Sequence, residues 1–200
     1  MKKGKSQKIV VIMPVRMGSK RLKNKNILIV RGLPMFVLVA KEALRSKYNL
    51  ELFISSESNE VKKICGSHNL NFIKRPKNLS LDHTEKQEVV VHAVKYLKKN
   101  NIIPKIVISL QGNSPEFNVQ DLDRAINFFE TKVYVGKPIK EVFSVNKDNI
   151  QNGAFRILTF KAVFQKTLST KVGIFFTNYI DVHNKKDYLK VLKKLKNEKN

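Results

Sequence analysis

The stretch Lys8-Ile-Val-Val-Ile-Met-Pro14, running on into Val15-Arg-Met-Gly-Ser-Lys-Arg-Leu-Lys-Asn-Lys-Asn26, decides how the chain is organised. Its first half is an unbroken apolar run of strand length, the pattern of a strand covered on both faces in a parallel sheet. Its second half switches at once to a polar, cationic loop. A basic start followed by a short apolar run also has the outline of a secretion signal. Pro14 and Arg16 interrupt that outline and no small-residue cleavage site follows, so the first-strand reading is preferred.

Working outward, strands and helices alternate. Pro34 to Lys47 opens with proline at a favoured first-turn position and predicts a helix. Leu50–Ser55 predicts a strand, Asn59–His68 a helix and Leu70–Lys74 a short strand. His83–Asn100 carries Val90, Val91, Val94 and Leu97 at helical spacing, and Lys105–Leu110 is another buried strand. Val119–Glu130 sets Leu122, Ala125, Ile126 and Phe129 on one helical face. Beyond Thr131 the rhythm blurs: Gly153–Phe160 suits a strand, Lys161–Leu168 a short helix and Asp187–Leu195 an amphipathic helix. The expectation is an α/β fold, a three-layer, mostly parallel, Rossmann-like sheet with helices on both faces. One domain is expected over 1–200, with a basic tail at 1–7. In such sheets ligands bind at the carboxyl ends of the strands. That rule selects the loops Val15–Asn26, Ser55–Glu57, Arg75–Thr84 and Gln111–Phe117.

Composition narrows the classes. Hydrophobic residues at 42% and charged residues at 28% exclude wholesale disorder. No apolar run approaches the ~20 residues of a membrane span. The lone Cys65 excludes an internal disulfide framework and suits a reducing compartment, so a cytoplasmic location is expected. The formal net charge of +23 attracts polyanions from a distance. Only seven of the 39 basic residues are Arg, however, and base reading favours the planar guanidinium fork. The lysines are spread along the chain, and no aromatic-rich strand offers a stacking platform. A nucleic-acid partner is therefore the least favoured reading.

The loop after the first strand gathers Arg16, Lys20, Arg21, Lys23 and Lys25 with Gly18 for a tight turn and Ser19 as a hydroxyl donor. Glycine-containing loops at a strand end can turn backbone N–H groups toward a phosphate, while the cations neutralise its charge. The spacing fits neither a P-loop nor a dinucleotide fingerprint. On composition alone, a basic surface loop explains it equally well.

The spacing of the loop, R-x-G-S-K-x-x-x-x-K-N directly after I-x-P-x-R, resembles the cytidylyltransferases that activate acidic sugars, the acylneuraminate and 3-deoxy-manno-octulosonate enzymes. The similarity continues in order. Gly32-Leu-Pro34 resembles the family's G-K-P turn, and Phe53-Ile-Ser-Ser-Glu57 stands where V-S-T-D is usual. Lys74-Arg-Pro76 with Leu79 and Asp82-His-Thr84 is similar to R-P-x-x-L…D-T. Leu110-Gln-Gly-Asn-Ser-Pro115 falls between the two branches' motifs. Asn152-Gly-Ala-Phe155 is similar to N-G-A-I, and Ile180-Asp-Val-His-Asn-Lys-Lys-Asp187 to I-D-I-D-x-x-x-D-L. The resemblance covers roughly residues 8–195.

The resemblance implies transfer of CMP from CTP to an acidic 2-keto sugar with release of pyrophosphate, feeding surface-glycan synthesis. It implies that Arg16 and Lys25 clamp the triphosphate as the catalytic cations. Gly18, Ser19, Lys20 and Asn26 would bind nucleotide beside them, and Arg75 would fix the cytidine side. Gln111 and Asn113 would meet the substrate, and Asp181 with His183 would hold Mg²⁺ or Mn²⁺. His183 replaces the family's second carboxylate, so an intact, an altered and a lost metal site all stay open. With Asp181 and His183 two apart on an expected strand, both could face one site. Lys86 replaces a nucleotide-side serine of the sialate branch, either as an added cation or as a solvent-facing residue. His92, among apolar helix positions, is expected to be a packed or surface histidine. The segment of about 130–150 is shorter than in the family, with Gly136-Lys-Pro-Ile-Lys140 as a remnant of H-P-x-K. That leaves a homodimer open. A homologue that binds nucleotide or a protein without turnover is the alternative reading.

Overall fold

The apolar run at the start of the chain becomes the centre of the molecule. In the computed structural model, which describes residues 8–134, 138–167 and 169–197, β1 (Ile9–Pro14) pairs in parallel with β4 (Leu50–Ser56) on one side and β6 (Ile106–Leu110) on the other. β5 (Asn71–Lys74) extends the sheet in parallel beyond β4. Beyond β6 the direction changes: β8 (Gln151–Thr159) is antiparallel to both β6 and β7 (Glu141–Val145), and β9 (Val172–Phe176) runs parallel to β7 at the edge. The order across the seven strands is β5-β4-β1-β6-β8-β7-β9. A two-stranded hairpin of β2 (Ile29–Val30) and β3 (Leu33–Pro34) stands apart, turning through Arg31 and Gly32 at positive φ.

Because alternate residues of β1 point to opposite faces, this strand feeds two cores. Val11 and Met13 pack with α1 (Met35–Ala43), α2 (Asn59–Ser67) and α4 (Val119–Tyr134). Val10 and Ile12 pack with Val90, Ala93, Val94 and Leu97 of α3 (Lys86–Lys99) and with Val163. A third cluster joins Val30, Met35 and Val182 to Val191 and Leu195 of α5 (Lys185–Asn197). The expected three layers and mostly parallel sheet are present. Among the described residues no helix is long and apolar enough to cross a membrane.

Several expectations need correction. Glu141–Val145 is a strand inside the sheet, although charge at Glu141 breaks the apolar pattern by which a buried strand is recognised. Lys161–Leu168 holds only a single 3₁₀ turn at Ala162–Phe164, because Gln165 leaves the helical region, and Leu168 lies outside the described residues. Residues 181–183 form no strand. They run as an irregular segment held by two hydrogen bonds to Asn113: the Val182 N–H donates to the Asn113 carbonyl at 2.8 Å, and Asn113 Nδ2 donates to the Val182 carbonyl at 3.1 Å. Of the Gly136–Lys140 remnant, Gly136 and Lys137 lie outside the described residues, as does the tail at 1–7; Pro138–Lys140 lead into β7.

Gly112, at the end of β6, has a steric reason to be glycine. A Cβ there would lie 2.8 Å from Phe36 Cβ and 3.3 Å from Phe36 Cα, so the strand end could no longer seat against α1. The Gly112→Ala variant should therefore lose about 1–3 kcal/mol of stability, the usual range for an overpacked core. The expected signature is a lower urea midpoint at unchanged slope. A midpoint equal to that of the parent protein would show that α1 yields freely.

Candidate functional site

The walls of the site stand on the carboxyl ends of the four parallel strands and on the start of α3. Beneath them lies one buried ion pair. Arg75, 3% exposed, donates from Nη2 to Glu57 Oε2 at 2.6 Å, and Glu57 Oε1 accepts the Met17 amide at 3.1 Å. One carboxylate thus joins the ends of β4 and β5 to the loop leaving β1. Burial alone would raise the Glu57 carboxyl. Hydrogen bonds from Arg75 and from the Met17 and Glu57 amides, with the Arg75 charge, outweigh it and hold the group below the usual carboxylate range.

Above this pair the loop turns through Asn24 at φ 55, a left-handed conformation that asparagine tolerates, into a 3₁₀ turn at Lys25–Ile27. The buried Asn26 donates from Nδ2 to the Arg16 carbonyl at 2.9 Å, fixing the loop across its own base. Arg16 Nη1 and Lys20 Nζ reach Asp82 at 2.8 and 2.5 Å. A single surface carboxylate therefore gathers two loop cations at the cavity mouth.

A cavity of about 210 Å³ opens here, walled by Arg16, Ser19, Lys25, Asn26, Arg75 and Gln111, with Lys86, Ser109 and Asn113 also on its lining. A second cavity of about 560 Å³ is walled by Phe143, Asn152, Phe155, Arg156, Asp181 and His183 and shares Lys86, Ser109 and Gln111 with the first. Nine of the eleven expected site residues thus line one of two adjoining cavities. Gly18 and Lys20 line neither. Lys20 is turned outward, its side chain 83% exposed. A tight turn does close around Gly18, but its φ is ordinary and a Cβ there would meet open space, so the turn does not demand glycine. The Ser19 amide is also taken, donating to the Met17 carbonyl at 2.8 Å.

At the junction of the cavities sits a small charged group. Asp181 accepts the Ser114 hydroxyl; burial raises its carboxyl, opposed by Ser114, Lys86 and Lys25. Lys25 is pushed below the ordinary lysine value by burial, then by Arg21, with Asp181 opposing. Lys86 is lowered by burial, and Asp181 is the acidic group that opposes it. His183 is lowered by burial and by Lys25 and Arg21, which keeps its imidazole neutral at pH 7. Asp187 acts on Asp181 and His183 by its charge, while its Oδ2 accepts the His183 and Asn184 amides at the start of α5.

This donor set does not fit a metal held by the protein ahead of its substrate. Divalent cations such as Mg²⁺ want oxygen anions. Here one carboxylate faces two ammonium groups, and among the described residues no three His, Cys, Asp or Glu side chains converge on a metal position. The Asn113 amide nitrogen is committed to Val182.

Sequence reasoning missed the second cavity's fixed charge. Glu141, fully buried, accepts Arg156 Nε at 2.9 Å, Gln165 Nε2 at 3.2 Å and the Ser169 amide at 3.0 Å. Arg156 also donates to Gln87 Oε1 at 2.8 Å and lies 4.7 Å over the Phe143 ring. The available signal was one acid and one base, each alone in an apolar strand. Ser109, a single hydroxyl within Ile106–Leu110, was a similar signal. His92 lines neither cavity; its Nδ1 is buried in α3, as expected of a packed histidine. A further cavity between Glu42, Glu116 and Asp121 contains none of the expected residues. Its acids are occupied by Arg45, Lys194 and Arg124 respectively.

Comparison with known proteins gives a consistent result. The family model described as cytidylyltransferase matches residues 10–195. A pseudaminic acid cytidylyltransferase of Campylobacter jejuni is 30% identical over 152 residues, 71% of this chain and 65% of the relative. An N-acylneuraminate cytidylyltransferase of Escherichia coli is 32% identical over 87 residues, 44% of this chain but 21% of the relative. The chain thus matches less than two thirds of the length of these relatives. Among solved structures, a CMP:2-keto-3-deoxy-manno-octonic acid synthetase complexed with CTP superposes with a TM-score of 0.77 at 15% identity, covering 96% of this chain and 99% of the other. A Mycobacterium tuberculosis protein in complex with manganese gives 0.62 at 14% identity, covering 94% and 98%. At such identities the superpositions establish the fold.

Removing Glu57 would leave Arg75 buried without its counter-charge. Glu57→Gln should cost about 3 kcal/mol at neutral pH, the low end for breaking a buried pair. Because the folded carboxyl lies below its ordinary value, the stability it adds is complete above about pH 5 and is lost as pH falls through the depressed value. Urea unfolding of both proteins between neutral and acid pH should show the gap between them shrinking on acidification. A gap that is constant with pH would mean that Glu57 acts through shape alone.

Proposed function

The chain belongs to the cytidylyltransferase family, and from that premise we propose that its adjoining cavities carry the transfer of CMP from CTP to an acidic 2-keto sugar. The observation that carries this reading is the shared wall of Lys86, Ser109 and Gln111. A nucleotide in the smaller cavity would present its α-phosphorus at that wall, and an acceptor in the larger cavity would approach from the other side.

In this scheme the anomeric hydroxyl oxygen attacks the α-phosphorus and gives up its proton to solvent, the bond to the β-phosphate bridging oxygen breaks, and pyrophosphate leaves with the displaced electron pair. No covalent enzyme intermediate is needed, so the protein contributes positioning and charge. Arg16 and Lys25 clamp the triphosphate, each close pair being worth up to ~4 kcal/mol at an effective dielectric near 20. Lys20 joins them when the phosphates displace Asp82. Ser19 and Asn26 line the nucleotide pocket, and Arg75 stiffens the cytidine side through Glu57. Gln111 and Asn113 would meet substrate at the end of β6. His183, uncharged, offers the acceptor a hydrogen-bonding wall. Any divalent ion would have to arrive on the triphosphate, with Asp181 as the carboxylate within reach. The relatives' names favour a nonulosonate-like acceptor.

The alternative, a homologue that binds nucleotide without turnover, draws on the single carboxylate at the junction. Pyrophosphate release with CTP and a panel of acidic 2-keto sugars separates the two: release supports transfer, and silence from every sugar while CTP still binds supports the alternative.

Thermal melting with each of the four nucleoside triphosphates tests the nucleotide assignment directly. At a hundredfold excess over Kd, CTP should add about 2.7 kcal/mol, or roughly 5–10 °C for a chain of this size. ATP should add less, and Arg16→Ala and Lys25→Ala should each reduce the CTP shift. Equal shifts with CTP and ATP would reduce the site to general polyanion binding.

A further inference from the structure

The junction between the cavities holds more positive than negative charge. Lys86 lines both cavities, Lys25 the smaller and Asp181 the larger. With Asp187 committed to the start of α5, Asp181 is the acid that acts on both lysines. Lys86 is also the first residue of α3. An ammonium there faces the positive end of the helix dipole, a cost that the capping-box acids Glu85 and Glu88, together with the Asp181 charge, offset in part. An anion bridging the cavities would offset the remainder. A protein-held divalent ion would add to the excess charge.

We infer that Lys86 is a further substrate-contacting residue, whose ammonium meets the α-phosphate where the cavities join and supplies there the positive charge that a divalent cation would bring. The inference rests on the CTP reading above and extends it. Among the residues that line both cavities, the one charged group is a cation belonging to the chain itself, so binding of the triphosphate does not require a metal. Lys25 and Arg16 hold the outer phosphates, Lys86 the inner one. As charge develops on the α-phosphoryl oxygens during attack, the ammonium is already in position and needs no reorganisation.

Titration calorimetry of the full chain with CTP, in EDTA and in excess Mg²⁺, tests this. The parent protein should bind CTP in EDTA within about threefold of its affinity in Mg²⁺. Lys86→Gln, which keeps the stem and removes the charge, should lose about tenfold or more in EDTA, and Mg²⁺ should restore part of the loss. Lys86→Arg should retain metal-free binding. Lys86→Ser provides a second neutral variant at a helix start where serine is tolerated, and urea unfolding of each variant verifies that it folds. CTP binding by the parent only when Mg²⁺ is present would overturn the inference and leave the nucleotide assignment intact. So would Lys86→Gln and Lys86→Ser binding as tightly as the parent in EDTA. Failure of CTP to bind under either condition would remove the nucleotide assignment, and the inference with it.

Discussion

The Glu57 carboxylate is the constraint on which the site depends. It takes a hydrogen bond from Arg75 beyond β5, another from the Met17 amide beyond β1, and itself follows β4. Three adjacent parallel strands are thus tied at their carboxyl ends by one group with two oxygens. Buried ion pairs are poor sources of net stability, because withdrawing both charges from water costs about as much as their attraction returns. What this pair supplies is register: it fixes the height of the loop that carries Arg16 and Lys25 relative to the floor formed by Arg75. An apolar replacement could fill the space and still leave the loop unanchored.

The cations above that floor are arranged in two different ways. Arg16 and Lys20 are held at the mouth by Asp82, a half-exposed partner that water and salt can replace, so they can exchange it for phosphate at little cost. Lys25 is half-buried and Lys86 lines both cavities, with Asp181 as their common acid. The pair held by Asp82 suits capture and the pair sharing Asp181 suits retention. The formal charge of +23 over the whole chain acts further out still, raising the local concentration of anions without selecting among them.

Much of this was legible in the residues. The apolar run of β1 and the alternation after it fixed the sheet's parallel half, because strands buried on both faces and amphipathic helices leave strong periodic signals. The strand-end rule then selected four loops, three of which line the cavities, while Ser55–Glu57 supports them from below through Glu57. The other half of the sheet was legible only in part: Gly153–Phe160 reads as a strand and is β8, whereas β7 and β9 were not foreseen. β7 begins with Glu141, which breaks the run that marks a buried strand, and its charge is met only when Arg156 of β8 pairs with it. The segment around Asp181 failed for a related reason. Its place comes from Asn113 rather than from a neighbouring strand, and a hydrogen bond made by a side chain far away in sequence leaves no periodic trace. The turn expected at Gly18 is present, but a glycine in a loop does not by itself reveal whether the backbone needs it.

The docking of α5 carries a consequence for the order in which the protein becomes competent. Val182 packs with Val191 and Leu195 against Val30 and Met35, and the Tyr188 hydroxyl donates to the Ile29 carbonyl at 2.7 Å. Asp181 and His183 are therefore set in place by a helix that follows them in the chain. During synthesis the walls contributed by β1, β4, β5 and β6 can assemble while the ribosome is still adding the second half of the chain. Most of the smaller cavity's lining could thus be in place well before the opposite wall arrives. The nascent protein would acquire its full constellation only when α5 clears the exit tunnel and folds back on the first hairpin.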